Sequence, residues 1–196
     1  MNNKMHSKKY HGWLAVLLVA LLMGVGIHYT QAFRFFALES NHLFLFDMAD
    51  VANKIQQPGG VALLVSSFLT QFMRIPYVGV CIVMGVYLLI AGVIFKILQK
   101  WREDIISAAL SLFPIVFLFL CLENDYYRFQ GHIAYLLLVL AVWGYVSIPV
   151  YRWKIRLFVG IVLIPILYGI AGSVAIAFAC TSCLIEWINR GYKGLW

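Results

Sequence analysis

Apolar residues run along this chain in long unbroken blocks, with charged residues mostly gathered in the gaps between them. Blocks of about 20 apolar residues match the thickness of a bilayer's hydrocarbon layer. The pattern places spans at 13–33, 76–96, 105–122, 132–150 and 157–186. None of these runs shows the ten-residue alternation of a transmembrane β-barrel. The expected fold is all-α: a polytopic transmembrane helix bundle of about five spans, forming one integral membrane domain over 1–196.

Two of the gaps carry helical patterning of their own. Phe44, Met48, Val51 and Ile55 share one face of a helix, and Asp47, Asp50 and Lys54 share the other. Pro58-Gly59-Gly60 then breaks the chain. In VALLVSSFLTQFMR, Leu64, Phe68 and Phe72 form one face, and Ser67, Gln71 and Arg74 the other. These stretches predict two amphipathic interfacial helices between spans 1 and 2. Pro76 suits the first turn of span 2.

The fifth run has no charged residue from Leu157 to Ile185. It is too long for one span and too short for two with a turn. It reads as one long helix, tilted or kinked at Pro165, Gly169 or Gly172, with the C-terminus outside. A re-entrant hairpin that returns Arg190 and Lys193 to the cytoplasm is the alternative.

Composition agrees with the pattern. The chain is 63% hydrophobic and 12% charged, against about 25% charged residues in soluble domains. The first run follows Lys4, Lys8 and Lys9 as a signal peptide would, but WLAVLLVALLMGVGI lacks an obvious small-residue cleavage site, so it reads as a retained span. The net charge of +7 follows topology, which sets nucleic acid aside as a partner. With the N-terminus cytoplasmic, nine Lys and Arg side chains fall inside and six outside. Six of the eight acids fall outside: Glu39, Asp47, Asp50, Glu123, Asp125 and Glu186. The expected location is the cell membrane, as a multi-pass protein with its N-terminus in the cytoplasm.

Five of those acids lie in two gaps that face the same side. Glu39, Asp47 and Asp50 precede the proline break. Glu123 and Asp125 sit in CLENDYYRFQGH, where Arg128 either binds a phosphate or pairs with Asp125. Two readings of these acids are open. They solvate helix faces, or they converge over a membrane-level cavity as a general base and a cation site.

The run ESNHLFLFDMADVANKIQQPGG, then FLTQF, a proline and a span, then ENDYYRFQGHIAYLLL, resembles an uncharacterised family of bacterial multispanning membrane proteins. The resemblance extends over most of the chain. It implies longer members with more spans and a soluble C-terminal part, and it implies no activity. The chain is also similar, in an acidic residue after span 1, a proline break and a second acidic site after span 3, to the N-terminal module of C-type membrane glycosyltransferases. That resemblance implies a sugar carried on a polyprenyl phosphate at the outer face. It implies Glu39 as catalytic base, with Asp47 and Asp50 as substitutes, and Glu123, Asp125 and Arg128 in substrate binding. Here Glu39 is followed by Ser40-Asn41, where those enzymes commonly have an acidic-proline pattern.

Cys180 and Cys183 form a C-x-x-C, which a membrane thiol oxidoreductase would use. Their flanks are apolar with no nearby base, so they read as packing residues. His28 and His132 read as interface histidines rather than haem ligands, and no spacing suggests a metal site. The residues name no cofactor. The favoured reading is a non-catalytic or partial polytopic membrane module whose partners are the bilayer and further membrane subunits. The glycosyltransferase-like module, with a lipid-linked sugar as partner, and the thiol oxidoreductase remain the alternatives.

Overall fold

In the computed structural model, residues 18–19, 22–27, 29, 47–100, 105–122 and 128–191 are described, and among them every regular element is helical. The elements are α1 (Met48–Gln56), α2 (Gly60–Thr70), a 3-10 turn (Gln71–Arg74), α3 (Pro76–Leu98), α4 (Ile105–Leu122), α5 (Gln130–Ser147), α6 (Trp153–Ala171) and α7 (Val174–Gly191). Residues 22–27 are helical as well. Three helices are long and apolar enough to cross a membrane: Tyr77–Leu98, Gln130–Ser147 and Trp153–Ala171. The helices α4 and α7 are shorter apolar helices.

The fold divides into two compact units, one of residues 1–45 and 65–132, the other of 46–64 and 133–196. In the first, α3 packs against α4 and against the 3-10 turn. Pro76 opens α3, where its missing N–H costs nothing. Val83, Tyr87, Ile90 and Ala91 of α3 are buried, whereas Phe113 of α4 is 76% exposed. Large apolar side chains stand outward along α4, including Ile106, Leu110, Phe113, Phe117 and Leu120. A water-facing helix would place its polar residues there. Here Ser107 and Ser111 point inward, and the Ser111 hydroxyl donates to the Ala108 carbonyl at 2.7 Å. A hydroxyl satisfied by its own helix is cheap to bury.

The stretch 60–74 shows the same reversal: Phe68 and Phe72 share one face, as the sequence pattern has it, and the seryl side turns inward. Ser66, Ser67 and Thr70 are buried, while Phe68 and Phe72 are exposed and meet edge to face at 5.3 Å. The Thr70 hydroxyl donates to the Ser67 carbonyl at 2.9 Å.

In the second unit, α6 and α7 form an antiparallel hairpin. The long apolar run is therefore two helices rather than one kinked helix. Gly172 breaks it with φ +78° and ψ −139°, a conformation nearly confined to glycine. The break is sealed by the Pro58-Gly59 turn. The Gly59 N–H lies 3.0 Å from the Gly169 carbonyl, one of the acceptors that the end of α6 leaves open, and 3.2 Å from the Tyr168 carbonyl, which also accepts from the Gly172 N–H at 3.0 Å. A Cβ on Gly172 would lie 3.5 Å from the Gly59 Cα. Tyr145, Leu167, Ala175, Phe178 and Ile185 form the core of this unit, joined by Leu138.

Candidate functional site

The acids singled out in the sequence divide into described and undescribed. Glu39, Glu123 and Asp125 lie outside the described residues. Asp47 is the N-cap of α1, its carboxylate accepting from the Ala49 N–H at 3.3 Å. Asp50 pairs with Lys54 at 2.6 Å, one turn on. Both therefore help to order α1. Arg128 is exposed just before α5.

The structure assembles a different charged cluster, at the open end of the α6–α7 hairpin. Four residues separate Ser147, the last of α5, from Arg152, the N-cap of α6. Within that turn the Arg152 N–H donates to the Pro149 carbonyl at 3.1 Å. The buried stripe of α6 is Arg156, Gly160, Leu167 and Ala171, so a charged residue occupies a core position. Arg156 is 2% exposed. An unpaired guanidinium buried to this degree would cost several kcal/mol.

Three groups hold it. The Nη1 group donates to the Ile148 carbonyl at 3.4 Å, beside the C-terminus of α5, where a cation is favoured. The guanidinium carbon sits 4.9 Å from the centroid of the Tyr145 ring, within cation–π range. The Nε atom lies 2.8 Å from Oε1 of Glu186. Its N–H is not aligned on that oxygen, so the contact is an ion pair rather than a linear hydrogen bond. The Tyr145 hydroxyl donates to the same Oε1 at 3.0 Å.

Local sequence explains why these groups meet. Gly160 follows Arg156 by one turn, and the Tyr145 ring fills the space its side chain leaves. A Cβ there would meet Tyr145 Cε2 at 3.3 Å. On α7, Phe178, Ser182 and Glu186 recur every fourth residue and so share one face. Phe178 meets Tyr145 edge to face at 5.9 Å. The arrangement leaves polar capacity unspent: Nη2 of Arg156 makes no hydrogen bond among the described residues.

Beside the cluster lies a cavity of about 450 Å³. Its wall is mostly apolar, with Leu157, Ile161 and Ile164 from α6 and Ala179 from α7. Trp153 and Trp187 contribute rings, and Tyr145, Ser182, Cys183 and Glu186 supply the polar groups. The Glu186 side chain is 25% exposed.

A second polar cluster sits in the first unit. Nε2 of His132 lies 3.2 Å from the Leu118 carbonyl and 3.1 Å from the Tyr87 hydroxyl. A carbonyl only accepts, so Nε2 carries the proton. Phe129 and Tyr87 stack on the ring at 5.2 and 5.6 Å. His132 is fully buried, which corrects its reading as an interface histidine. The cluster lies within the first unit, whose last residue is His132.

Cys81, Cys180 and Cys183 are exposed free thiols, and Cys121 is a half-buried one. Among the described residues no three His, Cys, Asp or Glu side chains converge as a metal set.

A family model matches residues 7–196. The chain belongs to DUF6057, a family of unknown function. No curated protein and no solved structure matches it. DUF6057 brings no residue roles, so those given above rest on geometry alone. The sequence reading missed the Arg156 site because it counted Arg156 and Glu186 on opposite sides of the membrane. One signal was available: Arg156 falls in register with Gly160, Leu167 and Ala171 on the face that α6 buries.

Proposed function

We propose that this DUF6057 protein is a multispanning protein of the cell membrane that acts as a non-catalytic binding module, with its N-terminus in the cytoplasm. The observation that carries the reading is the α6–α7 hairpin closed by the Arg156–Glu186 pair. Outward Phe113 and Phe117 in the first unit, and Phe158 and Trp187 in the second, support it, since a water-facing helix would turn polar residues outward. So do hydroxyls turned inward on α2 and α4.

The hairpin also revises the expected topology from about five crossings to six. With α7 returning, Arg190 and Lys193 join the cytoplasmic side. The Lys and Arg balance becomes eleven inside against four outside, of fifteen in all. That is a stronger bias than nine against six, in the direction that sets orientation. The same topology puts the α6–α7 turn outside, on the side of the 34–75 segment. This agrees with the Gly59 bonds to Tyr168 and Gly169. Asp47 and Asp50 serve in this reading as helix-ordering groups of an outer segment.

Cysteine accessibility tests the reading in a background lacking the four native cysteines. Cysteines at Asn53 and Ser173 label with impermeant reagent from outside intact cells, and a C-terminal reporter is active only in the cytoplasm. A C-terminal reporter active outside would sink the hairpin topology.

A further inference from the structure

We propose that the cavity between α6 and α7 binds a phospholipid carrying a primary ammonium. The ammonium sits on Glu186, the phosphate at Lys154, and an acyl chain lies along Leu157, Ile161 and Ile164. The proposal deepens the membrane reading above and rests on it.

Charge complementarity selects the head group. Oε1 of Glu186 is engaged by Arg156 and Tyr145. An ionised carboxylate has about four lone-pair sites and accepts only. Its spare capacity is in the cavity wall, so the occupant must donate hydrogen bonds. An ammonium donates three and matches the carboxylate's sign. A trimethylated ammonium has no N–H to give. The opposite charge lies close by: Lys154 is exposed, with Nζ 5.8 Å from the ring centroid of Trp153, which itself lines the cavity. A carboxylate in the wall and a lysine at the rim match a zwitterion. Trp153 and Trp187 suit the level where head groups meet acyl chains. Below them the wall is aliphatic, as a chain requires.

Two cysteines of α7 make the test internal. Cys183 lines the cavity, and Cys180 is exposed one turn away but outside the lining. The protein is purified in mild detergent and delipidated. Maleimide alkylation of each thiol is then timed after adding phosphatidylethanolamine, phosphatidylcholine or phosphatidylglycerol. Phosphatidylethanolamine is expected to slow Cys183 about tenfold while leaving Cys180 within twofold, and the other two lipids to protect Cys183 far less. Glu186→Gln abolishes the difference between head groups, and Ile161→Trp, which fills the wall without touching the ion pair, abolishes protection. Equal protection by all three lipids means a lipid annulus only and overturns the proposal, as does no protection of Cys183 or equal protection of Cys180. A chain that needs detergent yet shows no head-group effect sinks the site alone. A chain soluble without detergent sinks the membrane reading with it.

Discussion

Arg156 and Glu186 face each other across the open end of one helical hairpin, with Nε 2.8 Å from Oε1. The contact closes α6 onto α7 at the end opposite Gly172. Removing Glu186 leaves the buried Arg156 without its counter-ion, a loss of about 3–5 kcal/mol, and removing Arg156 leaves a partly hydrated Glu186 and costs less. Arg156→Met should lower the unfolding midpoint in detergent, and Glu186→Gln should lower it more. The double variant Arg156→Met/Glu186→Leu should lose much less than the two losses added together. Additive losses would mean the two side chains do not act as a pair.

Gly172 is expected to resist substitution more than its neighbours. Alanine there must hold φ +78°, while its Cβ would make only ordinary contact with the Gly59 Cα at 3.5 Å. The cost is about 1–3 kcal/mol for the backbone conformation. Ser173→Ala, next to it and exposed, should change stability by about 0.5 kcal/mol or less. Thermal unfolding of the two variants side by side decides this. Equal midpoints would mean that the turn does not need a glycine.

In the first unit, the His132 variants should rank. His132→Ala strips the Leu118 carbonyl of a donor and opens a void beside Tyr87 and Phe129, costing about 1–3 kcal/mol from the hydrogen bonds alone. Tyr87→Phe removes one neutral hydrogen bond and keeps the ring, costing about 0.5–1.5 kcal/mol. A larger loss for Tyr87→Phe than for His132→Ala in chemical denaturation would show that the tyrosine, not the histidine, holds the cluster.

Cys180→Ala/Cys183→Ala should leave folding almost unchanged. Both thiols are exposed, and alanine keeps the helix of α7. Expression level and unfolding midpoint within error of the parent chain is the expected result. Loss of folded protein in that variant would give the C-x-x-C a structural role.

Local signals in the sequence translated well into structure. Pro76 opens α3, Pro58-Gly59 separates α1 from α2, and Asp50 pairs with Lys54 one turn away. Each depends on residues within a few positions. The helices at 76–98, 105–122 and 130–147 follow the apolar runs within a few residues. What depended on partners from elsewhere was less legible. The pattern of α2 separated Phe68 from Ser67 but did not reveal which side packs on the protein: Ser66, Ser67 and Thr70 are buried, with the Thr70 hydroxyl satisfied inside the helix, and the phenylalanines face out. The Gly172 break was hidden among three candidate kink residues, because the Gly59 N–H that completes it comes from a distant segment. Arg156 looked like part of a basic turn, since nothing near it in sequence revealed Glu186 as its counter-ion.

The order in which the hairpin is synthesised gives the ion pair a consequence for biogenesis. Arg156 leaves the ribosome about thirty residues ahead of Glu186, which at about 5–20 residues per second is ~2–6 s. During that interval α6 carries an arginine with no carboxylate to neutralise it. The helix must wait at the interface, or in the insertion machinery, until its return helix is made. In the proposed membrane topology the two helices would then enter with Arg156 already paired. A ribosome halted between Gly172 and Glu186 would therefore release a chain whose last helix still carries its arginine unneutralised, marking it for quality control.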